Sequence, residues 1–236
     1  MLFSLQNITK CFCLNINLNS SYSRKIIICV YDSDRTNTIF CFREFYLEKK
    51  GLCKINLPFY SKNIDVLIYD ASNESANDFD ATMTITEITD KTPIIIDEFT
   101  ETFIKFAVEF SMICGYSKPS YFKNSGFEIR LLSKIPESST PCRIESTESF
   151  IEVSKEKFDQ TSVPARICLL LHEYSHNWLS DDCEDEFEAD KKALFIYRAM
   201  NLPRIEAMYA FSLIFNDNNE ARMKDIIDFL DIIYNE

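Results

Sequence analysis

Residues 161–190 read TSVPARICLLLHEYSHNWLSDDCEDEFEAD, and the centre of this stretch, His172-Glu173-Tyr174-Ser175-His176, holds both of the chain's 2 histidines. The run before it, Ile167 to Leu171, is apolar on every side, which is the pattern of a buried helix. Thr161 or Ser162 supplies an N-cap, and Pro164 fits the first turn. On such a helix positions i and i+4 share a face, so His172 and His176 can grip one metal ion with the Glu173 carboxylate beside them. Imidazoles buried at the end of an apolar helix otherwise need other polar partners. The helix is expected to fray after Trp178-Leu179. The acidic turn Asp181-Asp182-Cys183-Glu184-Asp185 then suits the positive end of a second helix. Glu186, Ala189, Asp190, Ala193, Leu194 and Tyr197 carry that helix to about Met200, where Asn201-Leu202-Pro203 breaks it.

Catalytic zinc takes three protein ligands and keeps a fourth position for water. With two histidines in the chain, the third ligand must be a carboxylate or a cysteine, and Asp181, Asp182, Cys183, Glu186, Glu188 and Asp190 lie close by. The H-E-x-x-H stretch followed by Glu186-Phe187-Glu188-Ala189-Asp190 resembles the gluzincin group of zinc metallopeptidases, whose next helix carries E-x-x-A-D or a close variant. The resemblance covers roughly 92–200. It implies Zn2+ as the cofactor, His172, His176 and Glu186 as its ligands, Glu173 as general base, and peptide bonds as the substrate. The spacing is compatible with those roles. Glu186 and Asp190 share a helical face, so the first can bind metal while the second accepts a hydrogen bond from a ligand histidine. Ala189 lets the two helices approach closely. Nine residues separate His176 from Glu186, and Asp182 lies where a metzincin places its third histidine. Leu179, however, stands where that pattern takes glycine, so Glu186 is the reading and Asp182 the alternative. A transition-state oxyanion needs a donor. No histidine remains, so a tyrosine or an arginine must serve; Tyr197 is the candidate, beside its ordinary reading as a packed aromatic.

Upstream of the motif, Phe99, Phe103, Phe106, Ala107, Phe110 and Cys114 follow helical spacing, with Gly115 at the helix end. Phe127 to Ile135 reads as a strand stopped by Pro136, and Ser149 to Ser154 as another. The second is either an ordinary sheet strand or an edge onto which an extended peptide adds. A polar loop with Ser138, Ser139, Thr140 and Pro141 lies between them. Two more helices finish the chain, marked by Ala207, Ala210, Phe211 and Ile214, then by Ile226, Ile227, Leu230, Ile233 and Tyr234. The first ninety or so residues are different. Phe12, Leu14, Ile16 and Leu18 alternate with Cys13, Asn15 and Asn17, the period of a half-buried strand. Similar short runs at 25–31, 38–47, 52–57, 64–69 and 81–88 are separated by Asn, Asp and Ser clusters, which suggests a β-sandwich. The expected fold class is therefore α+β. It has an N-terminal β-sandwich over 1–91 and a minimal zincin-like domain over 92–236: helix, small sheet, motif helix, glutamate helix and C-terminal helices.

Composition narrows the partners. The 236 residues carry a net charge of -12 and a pI near 4.7, against the basic face that nucleic-acid binding requires. Only 3 glycines occur, too few and too scattered for a phosphate-binding loop. The 9 cysteines form no C-x-x-C pair, the first residues lack a signal-peptide pattern, and no apolar run nears the ~20 residues of a membrane helix. Reduced thiols in an intracellular setting are the expectation. The first half shows no catalytic constellation, so docking of protein partners or a structural role is expected of it. A looser resemblance runs from His172 to Ala210, including Asn201-Leu202-Pro203-Arg204-Ile205-Glu206-Ala207. It is similar to predicted metallopeptidases of large tailed bacteriophages, among them crAss-like phages. That implies a second outcome: a structural or assembly protein, a phage virion component, built on a zincin-like fold with weak or no catalysis.

Overall fold

The period-two alternation at the start of the chain folds as strands that bury one side. In the computed structural model the described residues are 1–59, 61–71, 79–88, 96–136, 139–145, 150–179, 185–215 and 220–234. The chain divides into two compact units, Met1–Lys91 and Thr92–Glu236. In the first, β1 (Leu2–Gln6), β6 (Asn63–Asp70), β3 (Arg24–Asp32) and β4 (Arg35–Leu47) form one antiparallel sheet in that order. A second antiparallel sheet orders β5 (Lys50–Leu57), β2 (Phe12–Ser20) and β7 (Phe79–Glu87). Phe12, Leu14, Ile16 and Leu18 are buried along β2, and Ile26, Ile28 and Val30 along β3. The turn from β4 into β5 carries the chain between the sheets. Arg43 Nη1 bridges them, 3.4 Å from Cys53 Sγ and 3.2 Å from the Lys54 carbonyl.

The second unit is helical around a small sheet. Helix α1 (Glu98–Ile113) starts on Asp97, whose carboxylate accepts the Thr100 N–H at 2.9 Å. It buries Phe103, Phe106 and Phe110 at helical spacing. Strands β8 (Ser120–Asn124), β9 (Phe127–Leu132), β10 (Cys142–Glu145) and β11 (Phe150–Ser154) form a sheet ordered β10-β11-β9-β8. Ser125 and Gly126 turn the β8–β9 hairpin with φ of 49° and 90°, the left-handed pair that a two-residue hairpin requires. Helices α2 (Lys155–Phe158), α3 (Val163–Tyr174), α4 (Glu186–Ala199), α5 (Arg204–Ile214) and α6 (Glu220–Tyr234) complete the chain, which is α+β. Two readings change. Ser149 lies outside the described residues, and the rest of its strand, β11, is not an edge. It pairs with β9 in parallel and with β10 antiparallel, so the edge falls to β10, a strand within what reads as polar loop and its flank. The motif helix is also not α-helical throughout: after Tyr174 it widens into a π-helical turn, Ser175–Leu179. The Ser175 hydroxyl bonds the Leu171 carbonyl at 2.8 Å, and Lys192 reaches the Leu179 carbonyl. Among the described residues no helix is long and apolar enough to cross a membrane.

Arg166 shows what fixes α3. It is fully buried, and its guanidinium donates from Nε to the Phe158 carbonyl and from Nη1 to the Ser111 carbonyl, each at 2.9 Å. Those carbonyls belong to the last turns of α2 and α1, where helices leave acceptors unsatisfied. Arg166→Ala removes the guanidinium from both carbonyls, leaving Phe158 with the Thr161 N–H and hydroxyl and Ser111 with the Cys114 thiol, and opens a cavity. We expect a loss of about 3 kcal/mol in urea denaturation. An unchanged midpoint would show that water replaces the guanidinium at no cost.

Candidate metal centre

Three elements converge on one point. The last turn of α3 delivers His172 and Glu173, the π-helical turn delivers His176, and the first residue of α4 delivers Glu186. Asp185 caps α4 by accepting the Glu188 N–H at 2.9 Å, which fixes the helix start and so the position of Glu186. His172 Nε2 lies 3.2 Å from His176 Nε2, and Glu186 Oε2 lies 3.5 Å from the first and 3.4 Å from the second. These donor atoms make a nearly equilateral triangle. A tetrahedral dication bonded at about 2.0–2.1 Å to each donor demands edges of about 3.4 Å, so the triangle already has the required size. The chemistry agrees. Two imidazole nitrogens and a carboxylate oxygen that face one another need a cation or shared protons between them. Both histidines are buried, while the Glu186 side chain is about half exposed.

Asp190, fully buried one turn along α4, stands behind His172, with Oδ1 at 2.9 Å from Nδ1. The contact is close but too bent for a hydrogen bond, and no other acceptor among the described residues meets that nitrogen. A proton on Nδ1 faces this carboxylate and leaves the Nε2 lone pair for a metal. Asp190 is itself held by Arg222 of α6, through Nε to Oδ2 at 2.6 Å and Nη2 to Oδ1 at 2.7 Å. The same Nη2 lies 2.7 Å from Glu186 Oε2. One guanidinium therefore grips both the ligand carboxylate and the carboxylate behind His172. The hydrogen-bonded His176 side chain pulls the Glu186 carboxyl down to about 2 against the effect of burial, and charge on His172 and Arg222 acts in the same direction. Glu186 is thus ionised wherever imidazole is neutral enough to ligate.

A cavity of about 460 Å³ opens onto the triangle, walled by Cys142, Arg143 and Ile144 of β10 and by Glu173, Asn177 and Arg222. Glu173 is 7 % exposed, and the Cys142 thiol donates to its Oε1 at 3.6 Å. Burial pushes the Cys142 thiol well above its usual range, with the Glu173 charge adding to it, so Cys142 stays a neutral donor. No family model, curated protein or solved structure matches the chain. What can be said of the site therefore rests on its own geometry.

That geometry sorts the remaining candidates. Glu188 is engaged with Lys192 at 2.5 Å, one turn along α4, and not with the triangle. Tyr197 is fully buried with its hydroxyl donating to the Pro203 carbonyl at 3.1 Å, which removes it as an oxyanion donor. Asp181, Asp182, Cys183 and Glu184 lie outside the described residues, the Asp182 alternative with them. Cys142, Arg143, Ile144, Asn177 and Arg222 line the cavity without having been named from the sequence, and Arg222 is the one bound to the ligand carboxylate. Its signal was present: Arg222, Ile226 and Leu230 recur at i, i+4 and i+8, and the latter two are the buried residues of α6. A charge on a buried stripe demands a partner.

Proposed function

We propose that this protein is a zinc-dependent metallopeptidase that hydrolyses peptide bonds, with a zincin-like domain that follows an N-terminal β-sandwich in sequence. The observation that carries the reading is the His172–His176–Glu186 triangle, sized for a tetrahedral dication, with the Glu173 carboxylate on the same cavity wall. Two imidazoles and one carboxylate are a donor set of catalytic zinc, and bound zinc would polarise the peptide carbonyl and acidify a water molecule.

The chain's own residues supply the rest. An extended peptide adds to the outer edge of β10, which has no other strand on that side among the described residues, and this lays a backbone carbonyl across the cavity. Glu173 takes the proton from the attacking water as the oxygen–carbon bond forms. It then passes that proton to the amine nitrogen as the carbon–nitrogen bond breaks. Arg222 uses Nε and Nη2 on Asp190 and Glu186, and its Nη1 can donate to the carbonyl oxygen as negative charge develops there. The negative charge of Asp190 beside Nδ1 favours a proton on that nitrogen of His172, which leaves Nε2 to ligate.

The test is a digest of a broad unstructured peptide mixture by purified protein loaded with zinc. Cleavage that a chelator stops and zinc restores is the expected result. Zinc-loaded protein that leaves the mixture intact would overturn the peptidase reading and favour hydrolysis of another bond or an assembly role.

A further inference from the structure

In an antiparallel sheet with one side on the core, the other side is normally polar. The two sheets of the first unit differ in this respect. On the β5-β2-β7 sheet the side away from the core carries Asn15 and Asn17 of β2 opposite Thr84 and Thr82 of β7, with Leu52 of β5 exposed beside Asn17. On the β1-β6-β3-β4 sheet the register Leu2↔Leu67, Leu67↔Cys29 and Cys29↔Phe42 draws an unbroken apolar row across all four strands. The next row sets Tyr69 beside Ile27, itself largely covered, and Ile27 beside Glu44; the one beyond sets Lys25, which pairs with Glu44, beside Tyr46. Leu2 is 57 % exposed, Phe42 53 % and Tyr46 77 %. A contiguous patch of this kind on a soluble unit marks a surface that is covered in use.

We propose that this face is a self-association surface, on which a second copy of the chain seats the same face about a two-fold axis. Two observations select a second copy. First, the charges on the face are self-complementary. A two-fold axis running across the strands between the levels of Ile27 and Cys29 lays β3 antiparallel on its counterpart. The Leu2–Leu67–Cys29–Phe42 row of one copy then meets the Tyr69–Ile27–Glu44 row of the other, with Glu44 at the β4 edge. Lys25, at one end of β3 and already paired with Glu44 of its own copy, meets the opposite end, where Tyr31 pairs with Asp65. Second, residues 1–91 hold 10 Lys and Arg against 11 Asp and Glu, so this unit carries a charge of -1 out of the chain's -12. Two copies of it meet without the repulsion that two copies of the acidic remainder would feel. The proposal does not depend on the metal centre.

Sedimentation equilibrium of the full chain across the micromolar range tests it, with far-UV circular dichroism to confirm folding. The expected result is a dimer whose dissociation constant rises about tenfold or more in Phe42→Lys and in Tyr46→Lys, side chains whose exposure makes them dispensable for folding. Thr84→Lys, on the polar side of the other sheet, leaves it unchanged. A wild-type chain that stays monomeric throughout overturns the proposal and gives the face to a different partner. So does a dimer that survives both substitutions on the apolar face.

Discussion

Protein carrying His176→Ala, or Glu186→Ala, is expected to lose zinc under conditions in which the wild type holds one equivalent. Structural zinc is worth about 10–16 kcal/mol over four ligands, so each ligand accounts for about 3–4 kcal/mol, a factor of about 10²–10³ in affinity. Glu186 meets the condition for that full effect, because it is ionised and its Oε2 sits 3.4–3.5 Å from both imidazole nitrogens. Asp190→Ala should cost less, about 10–100-fold, because it touches the metal only through His172. It carries a larger penalty in the metal-free protein than Glu186→Ala, because Asp190 is the fully buried partner of Arg222 and Glu186 the half-exposed one. Arg222, which Asp190 binds through two hydrogen bonds of 2.6 and 2.7 Å, loses its buried partner. Asp190→Ala should therefore lower metal-free stability as well as affinity, whereas Glu186→Ala should lower affinity chiefly. A competitive chelator titration beside a metal-free thermal melt separates the two. Zinc retained at full affinity in Glu186→Ala would move the third ligand to Asp182.

Which of these residues the sequence made legible follows from how local each signal is. His172 and His176 stand out because the chain has no other histidine, and their neighbourhood rests on i, i+4 spacing alone. Glu186 and Asp190 are legible for the same reason, since both lie on one helical turn. The π-helical widening at Ser175 leaves the imidazole nitrogens 3.2 Å apart, so the inference survived an error about the helix. The sheet was less legible. Strand order is set by partners distant in sequence: β11 lies between β9 and β10, and no periodicity within Phe150–Ser154 records which sides are taken. β10 is four residues, Cys-Arg-Ile-Glu, two of them charged and too short for an alternation to register, yet it forms the wall of the cavity. Tyr197 failed as a candidate because spacing places a residue on a helix face but does not say what its hydroxyl meets. Here the carbonyl of Pro203, just past the helix end, takes it. Arg222 was missed because its partners Glu186 and Asp190 are more than thirty residues away, across α5.

The other large effect is on catalysis without any loss of metal. Glu173→Gln should reduce peptide hydrolysis by about 10³-fold, within the 10²–10⁴-fold range of general-base catalysis, while zinc content stays at one equivalent. About 4 kcal/mol of barrier is being assigned to one proton transfer. The substitution suits the site because glutamine keeps the volume of a side chain that is 7 % exposed, and its amide retains an oxygen to accept from the Cys142 thiol 3.6 Å away. The packing between β10 and α3 is preserved, and what is lost is the basic carboxylate. Retained zinc and retained fold with lost turnover would place Glu173 in the proton path. Retained zinc with full turnover would remove it from that path, and water would have to be deprotonated by a group other than the carboxylate next to His172. Loss of zinc in this variant would mean that Glu173 supports the ligand set, a role its position in the structure does not require, since His172 is already backed by Asp190 and the triangle closes through Glu186. The comparison between Glu173→Gln and Glu186→Ala thus separates the group that works on the substrate from the group that holds the metal, although both are glutamates on one cavity wall.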